Sequence, residues 1–311
     1  YDEQFRSLVA DGGEVIDHYW QLVLADIIAA LDEFAPLHRA SDGVDSYVSV
    51  EVVPGLATDG PGTAAAARHL SETIARPNLM VKIPATVESL PAIEQMIAEG
   101  RNVNVTLIFS LDRYQRVMDA YVAGLERLAV DPAADLSSVA SVASFFISRV
   151  DSEVDRRLDA IGSADALALR GTAAVAQARL AYQAFLRTFS GPRWEALAAD
   201  GARVQRPLWA STSTKNPSYP DTLYVDSLIG PDTVNTLPDS TVSAFADHGT
   251  VSRTIDVNIT AAREQWSRLR TVGVDVDDVS AQLEREGVTS FIKSFEDLIA
   301  ALGDKAASID S

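Results

Sequence analysis

The fold is decided by three short stretches, Val48-Ser49-Val50-Glu51-Val52, Leu79-Met80-Val81-Lys82-Ile83-Pro84 and Val103-Asn104-Val105-Thr106-Leu107-Ile108-Phe109. Alternate side chains of an extended strand point to opposite faces, so each stretch has one wholly apolar face and one face that carries polar groups. Amphipathic helical patterns over 63–75 and 90–99 separate the three stretches. Strands that alternate with helices form parallel sheets through right-handed crossovers. The three stretches therefore predict the centre of an α/β fold.

The same alternation continues outward in both directions. It predicts six strand–helix units, with the strands at 47–54, 79–84, 103–110, 141–147, 207–212 and 233–237. The first 40 residues and the tail from 260 onward are predicted to be helical, with breaks at Gly273 and Gly287. No glycine-rich phosphate loop follows any of these strands, so a dinucleotide fold is not indicated. We therefore predict a (β/α)8 TIM-type barrel, one α/β-barrel domain over residues 1–311.

Six units do not close an eight-stranded ring, and the sequence opens at Tyr1 inside a helical pattern. We expect the first two βα units to be absent from this chain, which makes the barrel N-terminally incomplete. The strands at 47–54 and 233–237 should then form the two edges of a gap about two strands wide.

Composition narrows the classes of partner. Apolar residues make up 47% and charged residues 23% of the chain, which is typical of a globular protein. A net charge of −18 disfavours nucleic acid and anionic membranes as partners. There is no cysteine, so disulfides, thiol catalysis and zinc–thiolate sites are excluded. The histidines form no cluster with the spacing of a metal site.

The lysines of the chain are few. Only four of the 26 basic residues are lysines, and they are Lys82, Lys215, Lys293 and Lys305. Lys82 falls on the polar, inward face of its predicted strand. A buried ammonium is costly unless it is paired or neutral, and a neutral amine attacks carbonyl groups.

Glu51, on the preceding strand, could pair with Lys82 in a purely structural salt bridge. Asn104 and Thr106, which are polar residues on the inward face of the next strand, favour a functional interpretation of Lys82 instead.

A second group of polar residues follows the fourth and fifth strands. Ser144 lies on the fourth strand, and Arg149, Ser211 and Lys215 fall at the carboxyl-terminal rim, where barrel enzymes gather their catalytic groups. Arginine, lysine and hydroxyl groups on neighbouring loops suit a phosphate group. The alternative is that these are solvated loop residues.

These segments, taken in order, resemble transaldolases of the longer type found in plants and some bacteria. The motifs that carry the resemblance are Val50-Glu51-Val52, Lys82-Ile83-Pro84-Ala85-Thr86, Asn104-Val105-Thr106-Leu107-Ile108-Phe109-Ser110, Ser144-Phe145-Phe146-Ile147-Ser148-Arg149-Val150-Asp151, Trp209-Ala210-Ser211, Lys215-Asn216-Pro217, Thr222-Leu223-Tyr224-Val225 and Asn235-Thr236-Leu237-Pro238. They span nearly the whole chain, and the series is specific although no single motif is.

The resemblance implies a class I aldolase-like barrel of the pentose phosphate pathway, located in the cytoplasm. It implies small sugar phosphates as partners, no metal or organic cofactor, and a homodimer as one form of assembly. Such an enzyme moves a dihydroxyacetone unit from fructose 6-phosphate or sedoheptulose 7-phosphate to an aldose phosphate.

By motif position, Lys82 matches the lysine that forms the Schiff base, and Glu51 matches the carboxylate that activates a water for proton transfer. Thr106 matches the residue that holds this water, and Asn104 matches a neighbour that steadies the carbinolamine.

Four further residues match positions that contact the substrate. Ser144 would contact substrate hydroxyls, and Arg149 and Ser211 match phosphate ligands. Lys215 is a looser match, because its loop is longer than in the short forms of the family.

The chain departs from the family pattern in three ways. Family members carry an aspartate, the acid/base at C4, on the first barrel strand and a Thr-Thr-Asn-Pro motif on the second, and these 311 residues contain neither. Gly55 stands where an arginine is common. Two alternatives stay open: a class I sugar-phosphate aldolase that releases dihydroxyacetone, and a non-catalytic sugar-phosphate-binding barrel.

Overall fold

The sheet follows the predicted pattern. A computed structural model describes residues 1–309 and contains one sheet of six strands in the order β1-β2-β3-β4-β5-β6. Each strand pairs in parallel with the next one along the chain. Their bounds are Val48–Glu51 for β1, Leu79–Pro84 for β2, Val103–Ile108 for β3, Ser141–Phe146 for β4, Arg206–Ala210 for β5 and Val234–Asn235 for β6. Within the described residues β1 and β6 are the two edge strands of the sheet, as expected, and they do not pair with each other.

Helices connect the strands and follow them along the chain. They are α1 Asp2–Ala10, α2 Val15–Ala40, α3 Gly60–Ile74, α4 Leu90–Ala98, α5 Leu111–Leu128, α6 Ser148–Ile161, α7 Ala164–Leu167, α8 Ala173–Thr188, α9 Pro192–Ala199, α10 Leu223–Asp226, α11 Asp239–His248, α12 Ile259–Thr271 and α13 Val276–Ile309, with short 3-10 turns at Pro54–Leu56 and Leu136–Ser138. Over residues 1–309 no helix has the length and apolar character needed to cross a bilayer.

Local sequence signals explain several boundaries. The Ser110 hydroxyl accepts a hydrogen bond from the Arg113 amide and caps α5, while the Asp59 side chain caps α3 by accepting from the Gly62 amide. Gly162 ends α6 in the left-handed conformation that glycine adopts without strain.

The core lies between the outward faces of the strands and the helices. Val81, Ile83, Val103 and Val105 are all buried there. The inward face of the same strands carries polar groups, and Asn104 is buried on it. Burial of one wholly apolar face against helices is the arrangement that the alternation predicts.

Three parts of the chain depart from the pattern. Helix α9, which has Pro192 in its first turn, is an additional helix between α8 and β5. Only the four-residue helix α10 lies between β5 and β6, and β6 itself has only two residues. In β3 the pairing register shifts after Val105, and Leu107 takes a positive φ of 58°, so strict alternation ends there.

The predicted break at Gly287 is wrong, because α13 runs through it without interruption. A Cβ at this position would lie 3.0 Å from Leu107 Cδ2 and 3.6 Å from Phe109 Cε2. The glycine therefore serves the close approach of α13 to the end of β3. The predicted break at Gly273 is confirmed, with a φ of 103° between α12 and α13.

Candidate active site

Lys82 lies on the concave face of the sheet, as predicted. In the strand register it stands beside Glu51 of β1 on one side and Asn104 of β3 on the other. Together with Ser49 and Thr236, it lines a cavity of about 520 Å³ that extends toward the amino-terminal ends of the strands. The cavity therefore lies on the side of Lys82 that is turned away from the carboxyl-terminal rim.

The Lys82 amine has no hydrogen bond or ion pair with any other residue in 1–309. The structural salt bridge with Glu51 is therefore not formed. The two groups still interact over a longer distance, because the charge of Lys82 lowers the pKa of Glu51. An amine without a partner on a cavity wall is free to attack a carbonyl carbon.

Glu51 is a largely buried carboxyl group. Burial raises its pKa above the usual range, and this effect exceeds the opposing effects of the Lys82 charge and of a hydrogen bond from Thr106. The Thr106 hydroxyl lies 3.5 Å from Glu51 Oε1, at the long limit of a hydrogen bond. A carboxyl with a raised pKa holds its proton to a higher pH than an ordinary carboxyl does, which makes it a better general acid.

A line of hydrogen bonds crosses the inward face just below Lys82. The Ser144 hydroxyl donates to Asn104 Oδ1 at 2.7 Å, and Asn104 Nδ2 donates to Ser49 Oγ at 3.2 Å. These two bonds determine the orientation of the Asn104 amide. Alternation already placed Ser49 on this face, but its contact with Asn104 depends on the register of strands that are not adjacent.

The carboxyl-terminal rim brings together the ends of β4 and β5. The hydroxyls of Ser148 and Ser211 are 2.9 Å apart, and the Ser148 amide donates to the Ser211 carbonyl oxygen at 3.0 Å. Ser211 has a φ of 55°, a conformation that costs a non-glycine residue energy and is common at functional sites. Sequence reasoning did not assign a role to Ser148.

Arg149 follows Ser148 in the first turn of α6. Its guanidinium lies 5.3 Å from the centre of the Phe146 ring, and Phe146 shares the inward face with Ser144. Among residues 1–309 Arg149 has no ion-pair partner. The structure thus places a cation without an ion-pair partner on the residue that follows Ser148, whose hydroxyl contacts Ser211.

Lys215 is not part of this group. It is exposed, its amine donates to Ser213 Oγ at 2.6 Å, and it lines a separate hollow of about 320 Å³ together with Asp151, Asp155 and Tyr219. The predicted association of Lys215 with Arg149 and Ser211 is therefore absent from this arrangement.

Helix α13 covers the carboxyl-terminal end of the first three strands. Leu107, Val288 and Phe291 enclose a small space beside Glu51. The bulge at Leu107 turns this side chain toward α13 rather than along the regular strand. Over residues 1–309 no group of three or more histidine, aspartate or glutamate side chains could hold a metal ion.

Comparisons with known proteins show what the chain as a whole resembles. Residues 1–302 match the family described as Transaldolase/Fructose-6-phosphate aldolase. A transaldolase of Thermobifida fusca is 52% identical over 309 residues, which cover 99% of this chain and 84% of the relative. A transaldolase of Acidothermus cellulolyticus is 53% identical over 97% of this chain and 81% of its own length, and one of Mycolicibacterium smegmatis is 51% identical over the same shares. The chain therefore belongs to the transaldolase/fructose-6-phosphate aldolase family.

Proposed function

We propose that this protein is a transaldolase that acts on sugar phosphates through a Schiff base on Lys82. It transfers a dihydroxyacetone unit from a ketose phosphate, fructose 6-phosphate or sedoheptulose 7-phosphate, to an aldose phosphate in the pentose phosphate pathway. The observation that carries the proposal is the unpaired Lys82 amine on the cavity wall, between Glu51 and Asn104. Family membership and the relatives named transaldolase support the same reaction.

The first half of the reaction uses Lys82 as an electron sink. Its neutral amine adds to the C2 carbonyl of the ketose, and loss of water from the carbinolamine leaves an iminium. When the C4 hydroxyl loses its proton, the electrons of the C3–C4 bond move into the iminium, so an aldose phosphate leaves and an enamine remains. The family resemblance gives no residue of this chain for the proton at C4.

The second half reverses these steps with a new acceptor. The enamine carbon attacks the aldehyde of the acceptor, and the resulting alkoxide takes a proton. Water then hydrolyses the iminium, which releases the product ketose and the free amine.

Glu51 and Thr106 supply the proton transfers at C2. Thr106 holds a water next to Glu51, and Glu51 passes a proton through this water to the carbinolamine oxygen, which then leaves as water. The raised pKa of Glu51 supports this role, because a carboxyl with an ordinary pKa would be a poor acid near neutral pH.

Asn104 orients the carbinolamine. Its Oδ1 accepts from Ser144, and one Nδ2 hydrogen is donated to Ser49, so the second Nδ2 hydrogen stays available for the oxygen on C2. Ser144 contacts substrate hydroxyls from the same inward face.

Arg149 and Ser211 bind the substrate phosphate at the rim, and Lys215 contributes more weakly from its separate position. The unpaired guanidinium of Arg149 supports this proposal, because a chain with a net charge of −18 needs a local cation to hold an anion.

A simple aldolase is the second candidate, because the matched family is described by both activities. The two reactions differ in their acceptor. An aldolase releases free dihydroxyacetone from fructose 6-phosphate alone, whereas a transaldolase retains the unit as the enamine until an aldose phosphate arrives.

Trapping the Schiff base tests the proposal directly. Borohydride added with fructose 6-phosphate should attach a reduced sugar to Lys82, which peptide mass spectrometry locates. Lys82→Met should abolish the adduct, and Lys293→Met, at an exposed lysine paired with Asp297, should leave it unchanged. A label on Lys215, or no label at all, would show that Lys82 is not the Schiff-base residue.

Several wider properties are also part of the proposal. Two further βα units would complete an eight-stranded barrel, and the unpaired ends at β1 and β6 support this. The enzyme would work in the cytoplasm, with a homodimer as one form of assembly and without a nucleic-acid partner, which the net charge of −18 supports.

A further inference from the structure

The loop of residues 211–222, between β5 and α10, carries Ser211 and Lys215. It contains neither helix nor strand, so regular backbone hydrogen bonds do not fix its position. A loop of this kind presents a ligand accurately only when side chains anchor it to a rigid element.

Two buried carboxylates on α6 supply such anchors. Asp151 and Asp155 are four residues apart and therefore lie on one face of the helix. Asp151 accepts from the Ala174 amide at 2.7 Å and from the Tyr224 hydroxyl at 2.8 Å. Through its two oxygens it joins the start of α8 to α10, directly after the loop.

Asp155 repeats this arrangement one turn later. It accepts from the Gly171 amide at 2.9 Å and from the hydroxyl of Tyr219, within the loop, at 2.6 Å. A Cβ at Gly171 would lie 2.7 Å from Tyr219 Cζ, so the glycine makes room for the ring. We refer to Asp151, Asp155, Tyr219 and Tyr224 as the carboxylate–tyrosine network.

Burying the two carboxylates of the network costs free energy, because a carboxylate loses its hydration in the protein interior. Within residues 1–309 neither aspartate has an ion-pair partner. Burial raises the pKa of Asp151 to about 6, although hydrogen bonds from Ala174 and Tyr224 oppose the rise. Apolar side chains would usually stabilise such a contact as well or better. The two buried aspartates are therefore better explained by the position that they impose on the loop than by added stability.

Helix α6 connects the carboxylate–tyrosine network with the proposed phosphate site. The helix begins with Ser148, whose hydroxyl contacts Ser211 at 2.9 Å, and continues with Arg149, the proposed phosphate ligand. The network fastens the far end of the loop to the same helix. The two bonds between Ser148 and Ser211 hold the start of the loop on α6, and the network holds its far end on the same helix.

We propose that Asp151 and Asp155 are positioning residues that hold the 211–222 loop against α6 through Tyr224 and Tyr219, and so align Ser211 with Arg149 for the substrate phosphate. The proposal rests on the proposed role of Arg149 and Ser211 as phosphate ligands.

The Tyr219→Phe variant tests the network, because it removes only the hydroxyl that donates to Asp155. Tyr219 is only partly buried, so the variant should fold, which circular dichroism verifies. We expect the fructose 6-phosphate concentration for half-maximal borohydride trapping at Lys82 to rise about 3- to 20-fold, equivalent to roughly one hydrogen bond. The maximal extent of trapping and the half-maximal concentration of unphosphorylated fructose should not change, which separates phosphate alignment from a general loss of structure.

Proteolysis gives a second readout that does not depend on the proposed reaction. Lys215 is exposed in the loop and is followed by Asn216, so trypsin can cut there once the loop opens. Tyr219→Phe should accelerate this cleavage several-fold. Tyr121→Phe is the matched control, because it removes another tyrosine hydroxyl bond, 2.7 Å to the Arg203 carbonyl oxygen and outside the network, and it should change neither readout.

The outcomes separate the two proposals. Wild-type protein without an adduct at Lys82 would reject the proposed function, and the cleavage rate would still decide whether the network holds the loop. Unchanged cleavage in Tyr219→Phe would overturn the network proposal. Faster cleavage with unchanged trapping, or an equal rise for both sugars, would overturn its link to the phosphate.

Discussion

Glu51 and Asp151 are two buried carboxyl groups in one barrel, and in both of them burial raises the pKa. Their surroundings differ. Glu51 stands beside Lys82 in the strand register and has one long contact with Thr106, whereas Asp151 accepts two short bonds from Ala174 and Tyr224. The first arrangement leaves a carboxyl free to exchange protons, and the second uses both oxygens to hold neighbouring chain segments. A raised pKa alone therefore does not identify a catalytic acid.

Exchanging each carboxyl for its amide should separate the two roles most strongly. Glu51→Gln keeps the shape but cannot transfer a proton, so kcat should fall about 10²- to 10⁴-fold, the usual contribution of a general acid or base. Asp151→Asn should leave kcat within a factor of about 3, because Asp151 does not contact the substrate in our proposal. Steady-state kinetics with fructose 6-phosphate and an aldose phosphate acceptor measures both values.

The comparison fails if Asp151→Asn lowers kcat as much as Glu51→Gln does. Asp151 would then belong to the proton-transfer machinery rather than to the framework of the site.

Arg149 allows the same comparison for substrate binding. It lies on α6 two residues before Asp151, but its guanidinium has no ion-pair partner among the described residues. Arg149→Ala should raise the KM for phosphorylated ketoses about 10- to 100-fold, because a charge-assisted contact contributes about 1.5–3 kcal/mol. The KM for free dihydroxyacetone as a donor should change much less. Equal changes for both donors would show that Arg149 supports the fold rather than the phosphate.

The sequence predicted the strand region well, because periodicity is a local signal. The bounds of β2 were confirmed to the residue, and the inward position of Lys82 followed from alternation alone. The prediction failed where tertiary packing decides. Gly287 serves the contact between α13 and Leu107, which a helix-breaking signal does not reveal.

Regions outside the strands were harder to predict from the sequence, because tertiary packing determines their structure. Lys215 lies in a loop, where apolar residues follow no helical or strand periodicity, so the sequence did not show that it lines a separate hollow. Asp151 and Asp155 are indistinguishable in sequence from a solvated acidic helix face, because their burial depends on Tyr219, Tyr224 and the start of α8. Side-chain networks between distant segments are not encoded in a local pattern.

The smallest effect concerns stability and pH. The pKa of Asp151 in the folded protein is about 6, above its usual value of 3.8. The native state therefore holds this proton more tightly than the unfolded chain does. The resulting stability is fully present below about pH 4 and is lost as the pH rises through 6.

Asp151→Asn is neutral throughout, so its free energy of unfolding should increase relative to that of the wild type by up to about 3 kcal/mol between pH 4 and pH 7. Urea unfolding of both proteins at several pH values measures the difference, and Glu51→Gln should shift in the same direction. A difference that is flat over this range would mean that Asp151 titrates near its usual value, and the contrast with Glu51 would then rest on contacts alone.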